Sequence, residues 1–530
     1  MPTKHHNYLL ITILLMATIL RFYKIGSYPS LNPDEAALGY NAYSLLETGK
    51  DEHGASWPLH FKSFGDYKPG GYVYLALPFI KILGLTPLAV RLPNLILSIL
   101  AIYYLSKLVF LLFESKGPRL NRSKAQNLSL LSSAVLALSP WHIHFSRGAW
   151  EAYSALSLII IGIYFFYSHL KNLKNFHLYL SVILISLSLY FYHSARILAP
   201  LIGLSLVTIN FKRLTRSGIR KLLIPIIITI LLALPVLFSF VRNGGAARFG
   251  GVGLTADQGP IWRSNELLNQ HNNVKLINRA MHNKRILYFL SWAQKYTSHF
   301  DLNFLFLNGD EVPRSKVPEM GQLYLFELPF LIIGIFFFLK SRAINKKTKT
   351  LILSFLLFAP LASSLTFQAP SALRSLPMTI PLSILIAYGL YHFFKCRPLL
   401  ILIAFCSLLS IFYYLDAYFV HSQKRYPYAW NLGFDQIVSL VESQKNNYQN
   451  IFFTSRYDQP YILYLFFSKY PPQKLQSQIK LTPKDQYGFS TVDRIDNITF
   501  IIPTEIPSSS MVIEASDFQL TGQSFKIYTK

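Results

Sequence analysis

Apolar runs long enough to enter a membrane recur along most of this chain, separated by short loops rich in Lys and Arg. They stand near 8–23, 88–113, 126–140, 152–170, 176–191, 196–210, 222–241, 323–340, 350–366, 377–393 and 398–415. In hydrocarbon every backbone N–H and C=O must find its partner inside the protein, so such runs fold as helices. Of 530 residues, 52% are hydrophobic and only 14% charged, too apolar for an ordinary soluble protein. A net charge of +26 would suit a nucleic-acid binder. The cations, however, lie in short loops between apolar runs, with no basic stripe interleaved with aromatics, so membrane lipid and not nucleic acid is the implied surroundings.

One further apolar run, 72–85, decides the topology. If it crossed fully, Lys116, Arg119, Arg122 and Lys124 would lie outside. If it stays at the surface they lie inside. Lys171/Lys174, Lys212/Arg213/Arg216/Arg220/Lys221, Lys340/Arg342/Lys346/Lys347/Lys349 and Lys395/Arg397 then lie inside with them, and Glu114 is the only acid in those five loops. Positive charge gathers in cytoplasmic loops, so 72–85 is predicted to be a juxtamembrane segment. The expected fold is a polytopic α-helical membrane protein with about eleven spans, or up to thirteen because runs such as 126–140 are short for a crossing. Its amino terminus is expected in the cytoplasm and its carboxyl terminus outside, in a plasma membrane. Lys4 precedes the first run and no small-x-small cleavage site follows it, so that run reads as an uncleaved anchor. Cys396 and Cys406 lie in or beside one apolar run and can build neither a disulfide framework nor a zinc site.

Three outer regions follow. The first, about 24–87, holds Asp34, Glu35 and Lys68. The second, about 242–322, begins near Gly244-Gly245 and Gly250-Gly251, and a connection of that length is usually functional or mobile. The third is the tail, 416–530, with a helical stretch at 434–442 and strand-like runs at 451–454, 498–502 and 525–528. It reads as a small α/β domain after a membrane domain of residues 1–415.

Leu31-Asn32-Pro33-Asp34-Glu35 follows the first run directly and sets two adjacent carboxylates just outside the membrane. Pro33 favours a helix start, and acids in a first turn are favoured by the helix dipole, which is the structural reading of the pair. Acids beside hydrocarbon are costly and usually functional, which is the other reading.

The motifs around this pair resemble glycosyltransferase family 39, a group of GT-C type that includes the protein O-mannosyltransferases and the aminoarabinose transferases of lipid A. The matching residues are Asn32-Pro33-Asp34-Glu35, Leu45-Leu46-Glu47-Thr48-Gly49, Tyr67-Lys68-Pro69-Gly70-Gly71-Tyr72, Gly84 and Arg91-Leu92-Pro93. Ser139-Pro140-Trp141-His142 with Ser146-Arg147 resembles that family's second outer loop. The likeness covers roughly the first 200 residues and continues loosely through Ser298-His299-Phe300, Gly309-Asp310 and Arg374. Gly70 stands where many members have a second proline.

The resemblance implies a polyprenyl-phosphate-linked sugar donor used on the outer face, a lipid, glycan or protein acceptor, and transfer with inversion. Such a reaction needs a base for the acceptor hydroxyl and cations for the leaving phosphate. Asp34 matches the family's catalytic aspartate, and Glu35 could bind acceptor, position Asp34 or hold a divalent cation. A metal ion is compatible with these acids but not required, because cations could do its work; no other cofactor is implied. Lys68 could reach a lipid phosphate. Arg147, Arg196 and Arg374, near the outer ends of three spans, suit phosphate clamping. Tyr67, Arg91, His193 and His299 complete the expected substrate contacts, with Asp310 and Glu311 placed to close over the site. His142 and His144 read as interfacial packing. Two other classes fit less well. A lipid-linked oligosaccharide flippase would show matched halves and charges at mid-membrane, and an anchoring protein would act through its tail alone. An outer-face polysaccharide ligase remains within the enzyme class.

Overall fold

Helix α1 (Lys4–Phe22) leads into α2 (Pro33–Thr48). A hairpin of β1 (His60–Ser63) and β2 (Asp66–Pro69) follows, then α3 (Gly71–Leu83) and α4 (Pro87–Phe113). The bundle continues with α5 (Arg122–Leu138), α6 (Pro140–Ser146), α7 (Glu151–Asn172), α8 (Asn175–Leu187), α9 (Ala195–Arg216) and α10 (Leu223–Arg242). These coordinates come from a computed structural model that describes residues 4–114, 122–216, 222–242, 253–271, 275–393, 397–485 and 490–530. Gly244, Gly245, Gly250, Gly251, Lys116, Arg119, Arg220, Lys221, Lys395 and Cys396 lie outside the described residues.

Among its described residues the stretch expected as one long loop contains three α-helices. They are α11 (Gly259–Asn269), α12 (Leu276–Met281) and α13 (Lys284–Thr297). Then come α14 (Leu328–Lys340), α15 (Lys346–Phe358), α16 (Thr379–Tyr391) and α17 (Arg397–Asp416).

Among the described residues five helices are long and apolar enough to cross a membrane: Lys4–Phe22, Pro87–Phe113, Glu151–Asn172, Ala195–Thr215 and Pro398–Arg425. The pair α5–α6, bent by 61°, makes a sixth if read as one span. The chain is thus a multi-pass helical membrane protein. The other expected spans fall on shorter helices. Pro360 follows α15 and stops it short of residue 366, because proline cannot continue the hydrogen-bond ladder and restricts the residue before it. A helix of 13 residues such as α14 rises only about 20 Å, against roughly 30 Å of hydrocarbon.

Loop ends meet in two groups. At one end Lys171 pairs with Glu114, and the Thr348 hydroxyl donates to the Leu112 carbonyl at 3.0 Å. At the other, the Trp141 indole donates to the Ala372 carbonyl at 2.9 Å and the Tyr324 hydroxyl to the Leu138 carbonyl at 3.0 Å.

The tail carries α18 (Phe434–Gln444), β3 (Asn450–Phe453), α19 (Pro460–Phe467) and α20 (Pro472–Gln478). It then adds β4 (Arg494–Ile495), β5 (Ile498–Thr499), β6 (Ser510–Ala515) and β7 (Phe525–Thr529). The strands order β4-β5-β3-β6-β7, with β3 parallel to both neighbours and the two edges antiparallel. One apolar core joins this sheet to the first outer region. Ala36, Tyr40 and Leu45 of α2 and Tyr72, Val73 and Ile80 of α3 pack with Phe453, Tyr461, Phe466 and Ile513. A second core, holding Ile102, Leu105, Leu156, Ile160, Ile202 and Leu385, lies within the helical bundle.

Two glycines let α14 and α16 touch backbone to backbone. A Cβ at Gly334 would sit 2.0 Å from the Leu385 carbonyl oxygen, and one at Gly389 would sit 1.9 Å from that of Phe330. Apolar side chains gain little by leaving lipid for a helix interface, so close approach through small residues is what binds helices there. Gly389→Val is expected to force the pair apart and cost about 3 kcal/mol or more, read as a loss of folded, monodisperse protein and of thermal midpoint in detergent.

Candidate active site

Asp34 and Lys68 meet because two local structures aim them at each other. Asn32 caps α2: its side chain accepts from the Glu35 N–H at 3.0 Å, and the Glu35 carboxylate accepts from the Asn32 N–H at 3.3 Å. This reciprocal cap, with Pro33 in the first turn, fixes the helix start and the direction of Asp34. The hairpin turns at Phe64 and Gly65, both with positive φ (55° and 78°), and Ser63 pairs with Asp66. Two consecutive positive φ values match the right-handed twist of the strands. Lys68 then stands opposite Phe61, with its ammonium 4.7 Å from the centre of the Phe64 ring, and it donates to Asp34 Oδ1. The side chains are 36% (Asp34) and 17% (Lys68) exposed, so the pair is open to a ligand.

Glu35 sits beneath, with 1% of its side chain exposed, against Arg91 with none. Arg91 Nε and Nη2 donate to Glu35 Oε1 and Oε2 at 2.8 and 2.7 Å. The rest of the guanidinium donates to the carbonyls of Ile25, Pro29 and Ser30. Glu35 also accepts from the Ala149 N–H at 2.8 Å and from the Asn32 side chain at 3.1 Å. The charges are buried but every group has a partner.

The remaining expected residues fall into separate settings. Arg147 uses all five N–H groups: on the carbonyls of Leu20, Arg21, Tyr23 and Tyr28, and on the Tyr418 hydroxyl. No donor is left there for a phosphate, so Arg147 ties α6 to the end of α1 and the chain after it. Arg196 at the start of α9 reaches the hairpin, with Nη2 2.7 Å from His60 Nε2. Arginine has only donors, so His60 Nε2 accepts and its Nδ1–H donates to Ser239 Oγ at 2.7 Å. Ser194, just before α9, and Ala195 at its start line a small cleft with Tyr192, Leu156, Leu373 and Arg374. Arg374 donates to Thr366 Oγ1 and the Gln368 carbonyl.

His299 is fully buried. The Ser371 N–H donates to its Nε2 at 3.4 Å, and its Nδ1 is 2.8 Å from the Lys295 carbonyl. Asp310, also buried, accepts from the N–H groups of Val312 and Ala372. These two residues therefore join α13 and the segment after it to the Arg374 loop. Glu311 and Tyr67 are exposed and His193 is half-buried. His142 lies between Arg21 Nη2 at 2.8 Å and the Tyr153 hydroxyl at 2.6 Å, while His144 Nε2 donates to the Arg314 carbonyl at 2.7 Å.

Four residues at the site lie outside the sequence expectations. His60 is one. Glu52 is fully buried close enough to Lys68 to feel its charge, and Asn41 bonds its carboxyl at 3.2 Å. Burial pushes that carboxyl up to about 8. Arg314 and Asp458 form a 3.5 Å pair from the second and third outer regions, and Asp458 feels both Asp34 and Lys68. No spacing in the sequence links any of these to residue 34. Only the Asn-x-x-Glu pattern of the cap was there to be read.

No protein-family model matches the chain, and no curated protein matches it by sequence. Among solved structures it is similar to ArnT from Cupriavidus metallidurans bound to undecaprenyl phosphate. The TM-score is 0.49 at 11% identity, covering 87% of this chain and 84% of that one. It is also similar to the oligosaccharyltransferase AglB from Archaeoglobus fulgidus, in complex with an inhibitory peptide and a dolichol-phosphate, at TM-score 0.47 and 13% identity. That match covers 95% of this chain and 62% of the length of AglB.

Two outcomes are expected. Glu35→Gln or Arg91→Gln leaves a buried charge without its partner and should cost about 3–5 kcal/mol, measured by thermal unfolding in detergent. Glu52 keeps its proton in the fold but loses it on unfolding above about pH 4.5. Its contribution is therefore full below that pH and is lost as pH rises through about 8. His53 and His60, both held down to about 4 by burial, act in the opposite sense below pH 6.5. Between pH 6.5 and 8 the thermal midpoint should fall, and Glu52→Gln should flatten that slope.

Proposed function

We propose that this chain is an integral-membrane glycosyltransferase that moves a sugar from a polyprenyl-phosphate-linked donor to an acceptor hydroxyl at the outer face. The observation that carries the reading is the partly exposed Asp34–Lys68 pair, held by the hairpin and by the buried Glu35–Arg91 pair beneath it. It supplies a carboxylate and a cation side by side on the motif residues that resemble family 39.

In the proposed reaction the acceptor O–H bond breaks and its proton passes to an Asp34 oxygen. The acceptor oxygen bonds to the anomeric carbon from the face opposite the phosphate, with inversion. The bond from that carbon to the phosphate oxygen breaks, and its electron pair leaves on the phosphate. Lys68 begins on Asp34 and turns to the donor phosphate as it arrives. That exchange restores the basicity of Asp34 and stabilises the charge that develops on the leaving group. Arg196, beside the hairpin, and Arg374, at the cleft, hold the phosphate and the start of the lipid arm. Glu35 acts as a positioning residue through the cap and through Arg91. Tyr67 and His193 contact sugar. His299 and Asp310 brace the Arg374 loop. The membrane keeps the donor lipid in place, so that only the sugar has to be oriented.

Purified protein is offered a panel of polyprenyl-phosphate sugars, with membrane extract as the acceptor source, and released lipid phosphate is measured. Release should depend on the sugar. Asp34→Asn should lower it about 10²- to 10⁴-fold at unchanged thermal stability. Lys68→Met should weaken donor binding and slow release together. Full activity in Asp34→Asn would remove the base assignment.

A further inference from the structure

The tail does more than pack against the first outer region; it reaches the hairpin that carries Lys68. The Ser490 N–H donates to the Phe64 carbonyl at 2.9 Å, and Tyr461 packs edge-on against the Phe64 ring with centroids 6.2 Å apart. A Cβ on Gly65 would lie 2.8 Å from Ser490 Oγ, so the turn tip is seated directly on the tail. Gln459 adopts φ 46° and bonds the Ser490 carbonyl at 3.3 Å. The short turn before α19 is thereby fixed beside the hairpin, and Asp458 projects from it. Across from Asp458 stands Arg314, whose backbone is held by the His144 bond to its carbonyl. Charges of alternating sign, Asp34, Lys68, Asp458 and Arg314, thus come from three outer regions.

The Arg314–Asp458 pair contributes little to folding. Its 3.5 Å separation is long and the Asp458 side chain is 57% exposed, whereas such exposed pairs are worth little. The open carboxylate instead stands on the turn that Gln459 ties to Ser490, which itself bonds the Phe64 carbonyl of the Lys68 hairpin, and so is placed to meet what binds there. A carboxylate repels phosphate and accepts hydrogen bonds from hydroxyls, so its partner is the saccharide and not the lipid phosphate.

Resting on the glycosyltransferase reading, we propose that Asp458 is a specificity-determining residue from the carboxyl-terminal tail. It accepts hydrogen bonds from the saccharide hydroxyls of the donor, is aimed by Arg314, and with Asp34 excludes sugars that carry a carboxylate of their own. Two carboxylates facing one site make a uronic acid a like-charge misfit, while a neutral sugar satisfies both.

The test uses the full chain with two donors, polyprenyl-phosphate hexose and polyprenyl-phosphate hexuronic acid, and measures released lipid phosphate. Wild type should prefer the neutral donor. Asp458→Asn should lose about tenfold in kcat/KM on the neutral donor, the worth of one hydrogen bond to a charged group, mainly through KM. It should also narrow the preference over the uronic donor. Relief of the like charge beside Asp34 should move the acid limb of the pH–rate profile to lower pH, a change that a purely structural role would not produce. Arg314→Gln, which leaves Asp458 unscreened, should widen the preference, and it serves as the second variant should Asp458→Asn fail to fold. Equal use of both donors by wild type overturns the proposal. So does an unchanged preference in folded Asp458→Asn and Arg314→Gln while Asp34→Asn is inactive. An active Asp34→Asn removes only the base assignment, whereas no lipid-phosphate release from any donor by folded wild type overturns the glycosyltransferase reading on which the proposal rests.

Discussion

A buried carboxylate and guanidinium, each fully hydrogen-bonded, hold the Asp34 end of this molecule together. Arg91 Nε and Nη2 face both oxygens of Glu35, while the other donors gather the carbonyls of Ile25, Pro29 and Ser30. Glu35 in turn reaches Ala149, two residues before α7, and closes the cap of α2. The chain after α1, helices α2 and α4, and the segment before α7 therefore share one electrostatic knot. Burying both charges is costly, and it is tolerated because every donor and acceptor is satisfied. The knot leaves the neighbouring residue free. Adjacent acids on a helix point about 100° apart, so fixing Glu35 inward turns Asp34 outward to Lys68. The conspicuous Asp-Glu pair of the sequence divides into a buried half, Glu35, and a partly exposed half, Asp34.

The same division separates the arginines. Arg147 is as buried as Arg91, but it is held by carbonyl oxygens and two aromatic rings rather than by an acid. It holds the end of α1 and the chain after it to α6 and to Tyr418 and Phe419 just past α17. Arg196 and Arg374 keep partly exposed side chains beside the hairpin and the cleft. From sequence alone the three looked equivalent, since each stands near the end of an apolar run. What tells them apart is how many donors the fold has already used, and that depends on contacts 119 to 271 residues away for Arg147.

The helices were largely legible because hydrocarbon imposes a periodless apolar run that composition shows directly. Their lengths were not. Pro360 interrupts one run, and α5 and α6 meet at 61° around Ser139 and Pro140. In the tail, 434–442 and three strand-like runs were visible, and the helix and strands there lie within a few residues of the expected ones. Strand β6, which pairs with both β3 and β7, was missed because Ser510–Ala515 follows a Pro- and Ser-rich stretch and mixes polar with apolar residues. Asp34 and Lys68 were legible as motif residues. Glu52, His60, Arg314 and Asp458 were not, because charge pairs such as Arg314–Asp458 span 144 residues and leave no local pattern.

That missing pattern bears on how such a site gains selectivity. The motif residues come from one outer region, and they can supply a base and a cation for any lipid-phosphate sugar. On the proposed reading, contacts to the rest of the saccharide come from elsewhere in the chain, from the turn at Gln459 and from Arg314 in the segment after Asp310. On that reading, chemistry and selectivity are carried by different stretches of chain. A reading built on motifs reaches the first and not the second.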